Sequence, residues 1–213
     1  MPEVSVIIPT YNRSERVVRA VRSVLDQSFK DLEILVVDDG STDETEASLV
    51  PYGSSIKYVR QPANRGVSAA RNKGIGHSSG TWIAFLDSDD YWLKEKLHFQ
   101  MEFLHQTPDA VACQTQEVWI RRGRRVNPKK IHKKPSGEIF RDSLRLCLVS
   151  PSSVILKRSI FDETGLFDET LEAAEDYDLW LRISCKHPIH LIDRDLVVKE
   201  GGHEDQLSRK HTG

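Results

Sequence analysis

The sequence predicts an α/β fold with an open, mostly parallel, twisted sheet flanked by helices, because apolar runs alternate with helical patterns. The run over 4–8 (VSVII) is nearly all apolar, as in a parallel strand that is covered on both faces. Val17, Val21 and Val24 then recur with helical spacing, which indicates an amphipathic helix. Strand and helix alternating at this spacing favour right-handed crossovers between parallel strands.

The other elements are expected from the same two patterns. We expect residues 9–12 (PTYN) to end the first strand, Ser41 and Glu44 to form a capping box, and Leu93 to begin the helix after the fourth strand. Residues 121–134 are expected to form a basic loop. Further strands are predicted over 34–37, 56–59, 82–86, 111–113, 117–120, 153–156, 189–192 and 196–198, and further helices around 69–75 and over 175–185, the second with Leu179, Trp180 and Ile183 turned inward.

Composition limits the classes of protein that the chain can belong to. Its 213 residues fit one domain, and no linker composition divides the two halves. A formal net charge of -2 gives no global attraction to nucleic acid, so no nucleic-acid partner is expected. Three widely spaced cysteines predict reduced thiols, and no signal peptide or apolar run of ~20 residues is seen. We therefore expect a cytoplasmic protein, with association at the inner face of the membrane left open.

Polar turns follow three of the predicted strands. Tyr11 follows the first, Asp39 the second, and the acidic turn Asp87-Ser88-Asp89-Asp90 the fourth. Ligands of such sheets bind beyond the carboxyl ends of the strands, so these residues are expected to line one pocket edge. Carboxylates this close repel one another unless a cation lies among them, and Mg²⁺ or Mn²⁺ prefers oxygen ligands. The alternative is that the aspartates only cap a helix.

Four residues and the basic loop each have a functional and a structural interpretation. Asp39 either accepts a hydrogen bond from a nucleobase or belongs to a turn, and Arg71 either serves a phosphate or the aspartates, or is a solvated helix arginine. Asp176 is either a general base or a first-turn carboxylate of its helix. His203 is either a metal or phosphate ligand or a surface histidine. The basic loop is either solvated or faces the phosphate of an acceptor or lipid.

Six stretches of the sequence, which span nearly the whole chain, form an ordered set. They are VSVIIPTYN at 4–12, VVDDGST at 36–42, NRGVSAARN at 64–72, IAFLDSDDYW at 83–92, GLFDE at 165–169 and EDYDLWLR at 175–182. Together they resemble the family 2 glycosyltransferases, which have the GT-A fold with a Rossmann-like N-terminal half, and as an ordered set they are highly specific for that family.

The resemblance implies a single GT-A domain over 1–213, with a nucleotide-sugar-binding half at 1–110 and an acceptor-binding half at 111–213. It also implies a nucleoside diphosphate sugar, usually a UDP-sugar, as the donor, and Mg²⁺ or Mn²⁺ as the cofactor. By position, the resemblance assigns Pro9, Thr10, Tyr11, Asp39, Arg71, Asp87 and Ser88 to the nucleotide, Asp89 and His203 to the metal, and Asp176 to catalysis as the base.

One base and no second nucleophile predict a single displacement with inversion at the anomeric carbon, onto a saccharide or lipid-linked acceptor. The rival enzyme is a sugar-1-phosphate nucleotidyltransferase, which should have a glycine-rich basic loop where this chain has PTYNR at 9–13. The other rival is a non-catalytic module that binds nucleotide sugars. Family members often continue beyond the region of His203, so acceptor or membrane recognition is expected to involve more than these 213 residues. No oligomeric state is predicted.

Overall fold

The computed structural model describes residues 1–126 and 130–201, except for the side chain of Lys130. Short 3₁₀ turns lie at Val50–Ser55 and Lys130–His132. The strands are β1 Val4–Thr10, β2 Leu32–Asp38, β3 Lys57–Arg60, β4 Trp82–Phe85, β5 Tyr91–Trp92, β6 Ala112–Arg121, β7 Arg124–Val126, β8 Val154–Lys157 and β9 His190–Gly201. The helices are α1 Ser14–Leu25, α2 Thr45–Leu49, α3 Val67–His77, α4 Lys96–Gln106, α5 Phe140–Ser143, α6 Ile160–Thr164 and α7 Glu175–Ser184.

One sheet runs through the described residues in the order β3-β2-β1-β4-β8-β6-β9-β5, with β7 paired to β6. The first four of these strands are parallel, as the sequence predicts for the N-terminal half. Strand β8 is antiparallel to β4 and β6, and β6 is parallel to β9. Because the sheet is continuous, residues of the C-terminal half can reach the carboxyl ends of the N-terminal strands.

Two apolar clusters cover the two faces of this sheet. Val6 and Ile8 face one cluster, into which α1 places Val17 and Val21, whereas Ile7 faces the other. This arrangement explains why the run over 4–8 is apolar at nearly every position. In the second cluster α7 contributes Leu179, Trp180 and Ile183, which confirms the inward face predicted for that helix. None of the described helices is long and apolar enough to cross a membrane.

The predicted end of the first strand after Ile8 is wrong by two residues, because β1 continues through Pro9 to Thr10. Leu86 N donates to Ile7 O, and Asp39 N donates to Thr10 O, so alternate residues of β1 face β4 and β2. Pro9 faces the β4 side, but the pairing with β4 stops at Ile7. The missing N–H of Pro9 therefore removes no ladder hydrogen bond.

Two predicted helix starts are also wrong. Ser41 does not cap α2: its hydroxyl accepts from Asn12 N at 2.9 Å, and the helix begins later, at Thr45. Leu93 precedes α4, which begins at Lys96, because Leu93 N pairs with Leu196 O beside the short strand β5. In both places the local pattern predicts that a residue begins a helix, but a hydrogen bond to a distant residue keeps it outside the helix.

Strand pairs predicted in the C-terminal half are single long strands. The strands expected over 111–113 and 117–120 are one strand, β6, whose polar middle includes the fully buried Gln114 and Thr115. Those over 189–192 and 196–198 are β9, where the register jumps from Thr115↔Ile192 to Gln116↔Asp195. Polar residues at this irregularity interrupt the apolar pattern without ending either strand.

Candidate active site

The carboxyl ends of β1, β2 and β4 meet at one edge of the sheet, and the predicted polar turns lie there together. Thr10 pairs with Asp38 in the parallel register, and Leu86 N donates to Ile7 O just before the acidic turn. Tyr11, at the end of β1, is 42% exposed, which leaves its ring available to a ligand. The structure therefore brings Thr10, Tyr11, Asp39 and the turn of Asp87 to Asp90 to the same side of the molecule.

Asp39 lies beneath the loop that leads into α3. Its carboxylate accepts hydrogen bonds from Arg65 N at 2.8 Å, Gly66 N at 2.9 Å and Gln61 Nε2 at 2.6 Å. Burial raises the pKa of Asp39, although these three donors oppose the shift. Two hydrogen bonds go to Oδ1 and one to Oδ2, so Oδ2 keeps an acceptor position. The role of Asp39 toward a nucleobase stays a prediction.

Gly40 shows why the turn after β2 needs glycine. Its φ is +78°, and a Cβ at this position would lie 2.7 Å from the carbonyl carbon of Ala63. The loop before α3 therefore packs directly on the turn that contains Asp39. Asn12, with a φ of 50°, joins the turns after β1 and β2, because its Oδ1 accepts from Thr42 N at 2.7 Å.

Arg71 on α3 is buried and joins three parts of the site. Its guanidinium lies 2.8 Å from Asp87 Oδ1 and 2.7 Å from Glu175 Oε1, and it stands 5.1 Å from the centroid of the Phe167 ring. Burial alone would lower the pKa of Arg71, but the charges of Asp87 and Glu175 raise it, so the group stays charged. The sequence leaves Arg71 as a phosphate ligand, a partner of the aspartates or a solvated arginine. The ion pair with Asp87 corresponds to the second of these.

The acidic turn contains carboxyls in different environments. Burial raises the pKa of Asp87, but the positive charges of Arg71 and Lys199 outweigh that effect and lower it. Burial raises the pKa of Asp90 well above its usual range, and the charges of Asp89 and Asp87 add to the shift against the opposing charge of Lys199. Asp90 accepts from Ser152 Oγ at 2.6 Å and Glu200 N at 3.2 Å. Asp90 therefore connects the turn to β9. Ser88, in the same turn, is also buried.

Asp89 is the carboxylate of this turn that the resemblance assigns to a metal. Its Oδ2 lies 2.9 Å from Arg13 Nη1, and 14% of its side chain is exposed. Within the described ranges, no three His, Cys, Asp or Glu side chains come together as a metal cluster. Mg²⁺ is commonly held by one or two carboxylates plus substrate phosphates, and a single hard oxygen donor at the ligand edge fits that mode. His203, the second predicted ligand, lies outside the described residues.

Asp176 lies in the first turn of α7, next to the Glu175 that pairs with Arg71. It is half-buried, and its Oδ1 accepts from Tyr177 N at 2.8 Å. Burial raises the pKa of Asp176, and the neighbouring charge of Glu175 adds to this, against the opposing charges of Arg71 and Lys199. A half-buried carboxyl with a raised pKa, close to the sheet edge where a ligand is expected to bind, is suited to accept a proton.

Lys199 on β9 is a residue of this site that sequence reasoning missed. Burial lowers its pKa, but the surrounding carboxyls, Glu117 first and then Asp90, Asp87 and Asp176, raise it above the usual range. Its position depends on the long-range pairing of β6 with β9, for which no local motif exists. Glu175 was missed as well, although it stands in the same motif as Asp176.

The expected basic loop is partly a structured element. Arg124–Val126 form β7, and Lys134 is buried, with its Nζ 3.0 Å from Glu117 Oε2 and 2.7 Å from Ser153 Oγ. The interpretation of a solvated loop is therefore wrong for Lys134, because Glu117 supplies a buried counter-charge.

Known proteins share both the sequence pattern and the fold. The model for "Glycosyl transferase family 2" matches residues 5–165. The Escherichia coli "UDP-Glc:alpha-D-GlcNAc-diphosphoundecaprenol beta-1,3-glucosyltransferase WfgD" is 32% identical over 201 residues, which cover 92% of this chain and 76% of that protein. An "Uncharacterized glycosyltransferase" of Rickettsia felis is 36% identical over 197 residues, 91% of this chain.

The chain spans only 32% of the length of that Rickettsia relative. Among solved structures, S. aureus TarS in complex with UDP-GlcNAc superposes with a TM-score of 0.82 at 24% identity, over 98% of this chain and 61% of that one. This likeness confirms the expected GT-A fold. Because the family model covers most of the sequence, the chain belongs to glycosyl transferase family 2.

Proposed function

We propose that this chain transfers a sugar from a nucleoside diphosphate sugar, a UDP-sugar, to an acceptor hydroxyl with inversion at the anomeric carbon. The observation that carries the proposal is the position of Asp176, a half-buried carboxyl with a raised pKa beside the Asp87–Arg71–Glu175 ion pairs. Family membership removes the nucleotidyltransferase alternative. The name of WfgD, with its UDP-glucose donor and lipid-linked acceptor, supports the donor and the saccharide or lipid-linked acceptor class.

The donor nucleotide is proposed to bind across the ends of β1 and β2. Pro9, Thr10 and Tyr11 flank the nucleoside, Asp39 accepts a hydrogen bond from the base through its remaining acceptor position, and Asp87 and Ser88 lie near the ribose. Arg71 holds Asp87 in its ionised form, so that the turn keeps its shape when a diphosphate approaches. These roles follow from the resemblance together with the geometry of the sheet edge.

Asp89 is proposed to hold Mg²⁺ or Mn²⁺, with His203 as a second ligand. When bound, the ion neutralises negative charge on the leaving diphosphate. Arg13, which pairs with Asp89, supplies positive charge at the same place. Asp176 accepts the proton of the acceptor hydroxyl as that oxygen bonds to the anomeric carbon and the bond to the diphosphate oxygen breaks. The proposed location is the cytoplasm, at the inner face of the membrane where the acceptor is lipid-linked.

Nucleotide binding is expected to depend on the divalent ion and on Asp89. The acidic turn repels a bare diphosphate, so UDP should bind weakly in chelator and at least ~10-fold more tightly with Mn²⁺, a difference of about 1.4 kcal/mol. Isothermal titration calorimetry of wild type and Asp89→Asn, each with Mn²⁺ and with chelator, measures this. The variant should keep its fold and lose the metal effect. Equal UDP affinity of wild type in both conditions would rule out metal-assisted binding.

The product is expected to have the anomeric configuration opposite to that of the donor. One displacement opposite the leaving group inverts the carbon, and the site offers Asp176 as the base without requiring a carboxylate nucleophile. Proton NMR of the isolated product reads the configuration from the anomeric coupling. A retained configuration would contradict the assignment of Asp176 as the base of a single displacement, and no turnover with any donor and acceptor would favour the non-catalytic module.

A further inference from the structure

A basic hairpin projects from the sheet where β6 turns into β7. Arg122 and Gly123 have φ angles of 51° and 72°, the pair of positive values that a two-residue type I′ turn requires. Arg121 stands directly opposite Arg124 across the hairpin. Like charges placed opposite each other destabilise a strand pair. The hairpin arginines are the exposed residues Arg121, Arg122, Arg124 and Arg125. Among the described residues, only Arg125 of these four forms an ion pair, with Asp195 at 3.2 Å. An anionic ligand would therefore relieve the repulsion.

Trp119, two residues before the turn, is a half-buried ring held in a fixed position. Its indole N–H donates to Glu117 Oε1 at 2.8 Å, and Glu117 pairs with the buried Lys134 at 3.0 Å. The ring also contacts His132, with centroids 5.2 Å apart, and Arg121, whose guanidinium carbon lies 5.9 Å from its centroid. A ring fixed at its polar edge loses little entropy when a ligand stacks on it.

The strand register connects Trp119 to the candidate active site. Trp119 pairs with Lys199, and the next residue of β9, Glu200, donates its N–H to Asp90 Oδ1 at 3.2 Å, so this part of β6 lies beside the acidic turn. Alternation along β6 places Trp119 and Arg121 on the same face of the strand. Two residues of a strand span about 7 Å, so the hairpin arginines begin about one sugar ring beyond Trp119 along β6.

We propose that Trp119 and the hairpin arginines form an acceptor subsite for a saccharide that carries a phosphate group. The indole face stacks on the apolar face of a sugar ring, and the guanidiniums pair with phosphate oxygens. Arginine is suited to this because its planar fork matches phosphate geometry. The proposal rests on the proposed function, since it assigns the acceptor side of the same site. The phosphate belongs either to a lipid-linked glycosyl diphosphate or to a soluble phosphorylated glycan.

Trp119 reports directly on ligand binding. The other three tryptophans, Trp82, Trp92 and Trp180, are only 8%, 3% and 1% exposed, so acrylamide quenches mainly Trp119. GlcNAc 1-phosphate should protect the emission of Trp119 from acrylamide. Methyl α-GlcNAc should bind at least ~10-fold more weakly, because it lacks the charge that the arginines bind. Inorganic phosphate should compete with GlcNAc 1-phosphate without protecting the ring.

Variants separate the two parts of the subsite by calorimetry. The double variant R121Q/R124Q should bind GlcNAc 1-phosphate ~10-fold or more weakly and methyl α-GlcNAc as wild type does. Trp119→Ala should weaken both probes, whereas Trp119→Phe should keep most of the affinity. The matched control is Arg22→Gln, an exposed arginine near the far end of α1, and it should change neither probe. Wild-type affinity for GlcNAc 1-phosphate in both R121Q/R124Q and Trp119→Ala would overturn the subsite.

Vesicles then identify the source of the phosphate. Stronger binding to neutral phosphatidylcholine vesicles that carry a GlcNAc-diphosphate lipid than to plain ones assigns the lipid-linked source, and binding of the soluble probe alone assigns the soluble glycan. If phosphatidylglycerol vesicles without the sugar bind as strongly as vesicles with the GlcNAc-diphosphate lipid, the subsite is contradicted, because the hairpin would then bind any anionic membrane. UDP binding is measured on the same preparations. If UDP binds but the subsite variants bind GlcNAc 1-phosphate as wild type does, the subsite is wrong and the proposed function still stands. If wild type does not bind UDP, the result counts against the proposed function itself.

Discussion

Asp176→Asn is expected to lower sugar transfer by ~10²- to 10⁴-fold, or roughly 3 to 5 kcal/mol of barrier, because asparagine cannot accept the acceptor proton. Donor affinity should change little, since the proposed base acts on the acceptor hydroxyl rather than on the nucleotide. Asparagine keeps the size of aspartate, so α7 should keep its first turn. Rates and UDP-sugar binding are measured on one preparation of the variant.

The pKa of Asp176 sets the pH dependence of this reaction. A helix N-terminus favours a carboxylate, but burial and the charge of Glu175 raise the pKa of Asp176 above the ordinary aspartate value. A base must be ionised, so transfer should fall as the pH drops through this raised pKa, above the usual aspartate range. The raised pKa also means that ionised Asp176 costs the folded state stability at neutral pH, and Asp176→Asn should be no less stable than wild type there.

A matched control for this variant lies on the same helix. Asp178 pairs with Arg182 at 2.7 Å, and its side chain is 39% exposed, so Asp178→Asn should transfer sugar at close to the wild-type rate. Wild-type transfer by Asp176→Asn would remove Asp176 from the mechanism. Lost donor binding in a folded Asp176→Asn protein would instead place the residue in the nucleotide site.

Arg71→Met is expected to destabilise the fold by about 3 to 5 kcal/mol, because it leaves the carboxylates of Asp87 and Glu175 without their buried counter-charge. The guanidinium side chain is only 4% exposed, so water cannot take its place easily. At about 2 to 4 °C per kcal/mol for a chain of this size, the midpoint of thermal unfolding should fall by roughly 6 to 20 °C. Denaturant unfolding of wild type and variant measures the free energy.

The pH dependence of this loss identifies its cause. In wild type the lowered pKa of Asp87 stabilises the fold above the unfolded aspartate pKa, and this stabilisation is lost as the pH falls through the folded value. The deficit of Arg71→Met should therefore shrink as the carboxyls become protonated. Arg65→Met is the matched control, because Arg65 pairs with Glu169 at 3.2 Å on the surface and should contribute ~1 kcal/mol or less. A pH-independent deficit would point to lost packing on Phe167 instead.

The N-terminal half was predictable because its determinants are local. Apolar runs define β1, β2 and β4, and parallel strands bring their carboxyl ends to one edge, so the sequence alone predicts that Tyr11, Asp39 and the acidic turn lie together. The stripe of Leu179 and Ile183 likewise identified the buried face of α7. These features depend only on periodicity and on the handedness of strand connections.

The C-terminal half depends on contacts between distant residues. Buried Gln114 and Thr115 break the apolar pattern of β6, and the long pairing of β6 with β9 brings Lys199 among four carboxyls. The ion pair between Arg71 and Glu175 joins positions 104 residues apart. No local motif encodes such pairings, so neither the role of Lys199 nor the buried state of Lys134 follows from the sequence pattern.

The measurement that tests the proposed function most directly is thermal unfolding with a panel of nucleoside diphosphate sugars, each with Mn²⁺ and with chelator. A donor at 100 times its Kd stabilises the fold by about 2.7 kcal/mol, which corresponds to a rise of roughly 5 to 11 °C. The account predicts such a rise for at least one UDP-sugar with Mn²⁺, with little or none in chelator and little or none in Asp89→Asn. If no nucleoside diphosphate sugar raises the unfolding temperature of the wild-type chain in either condition, the proposed donor site is wrong.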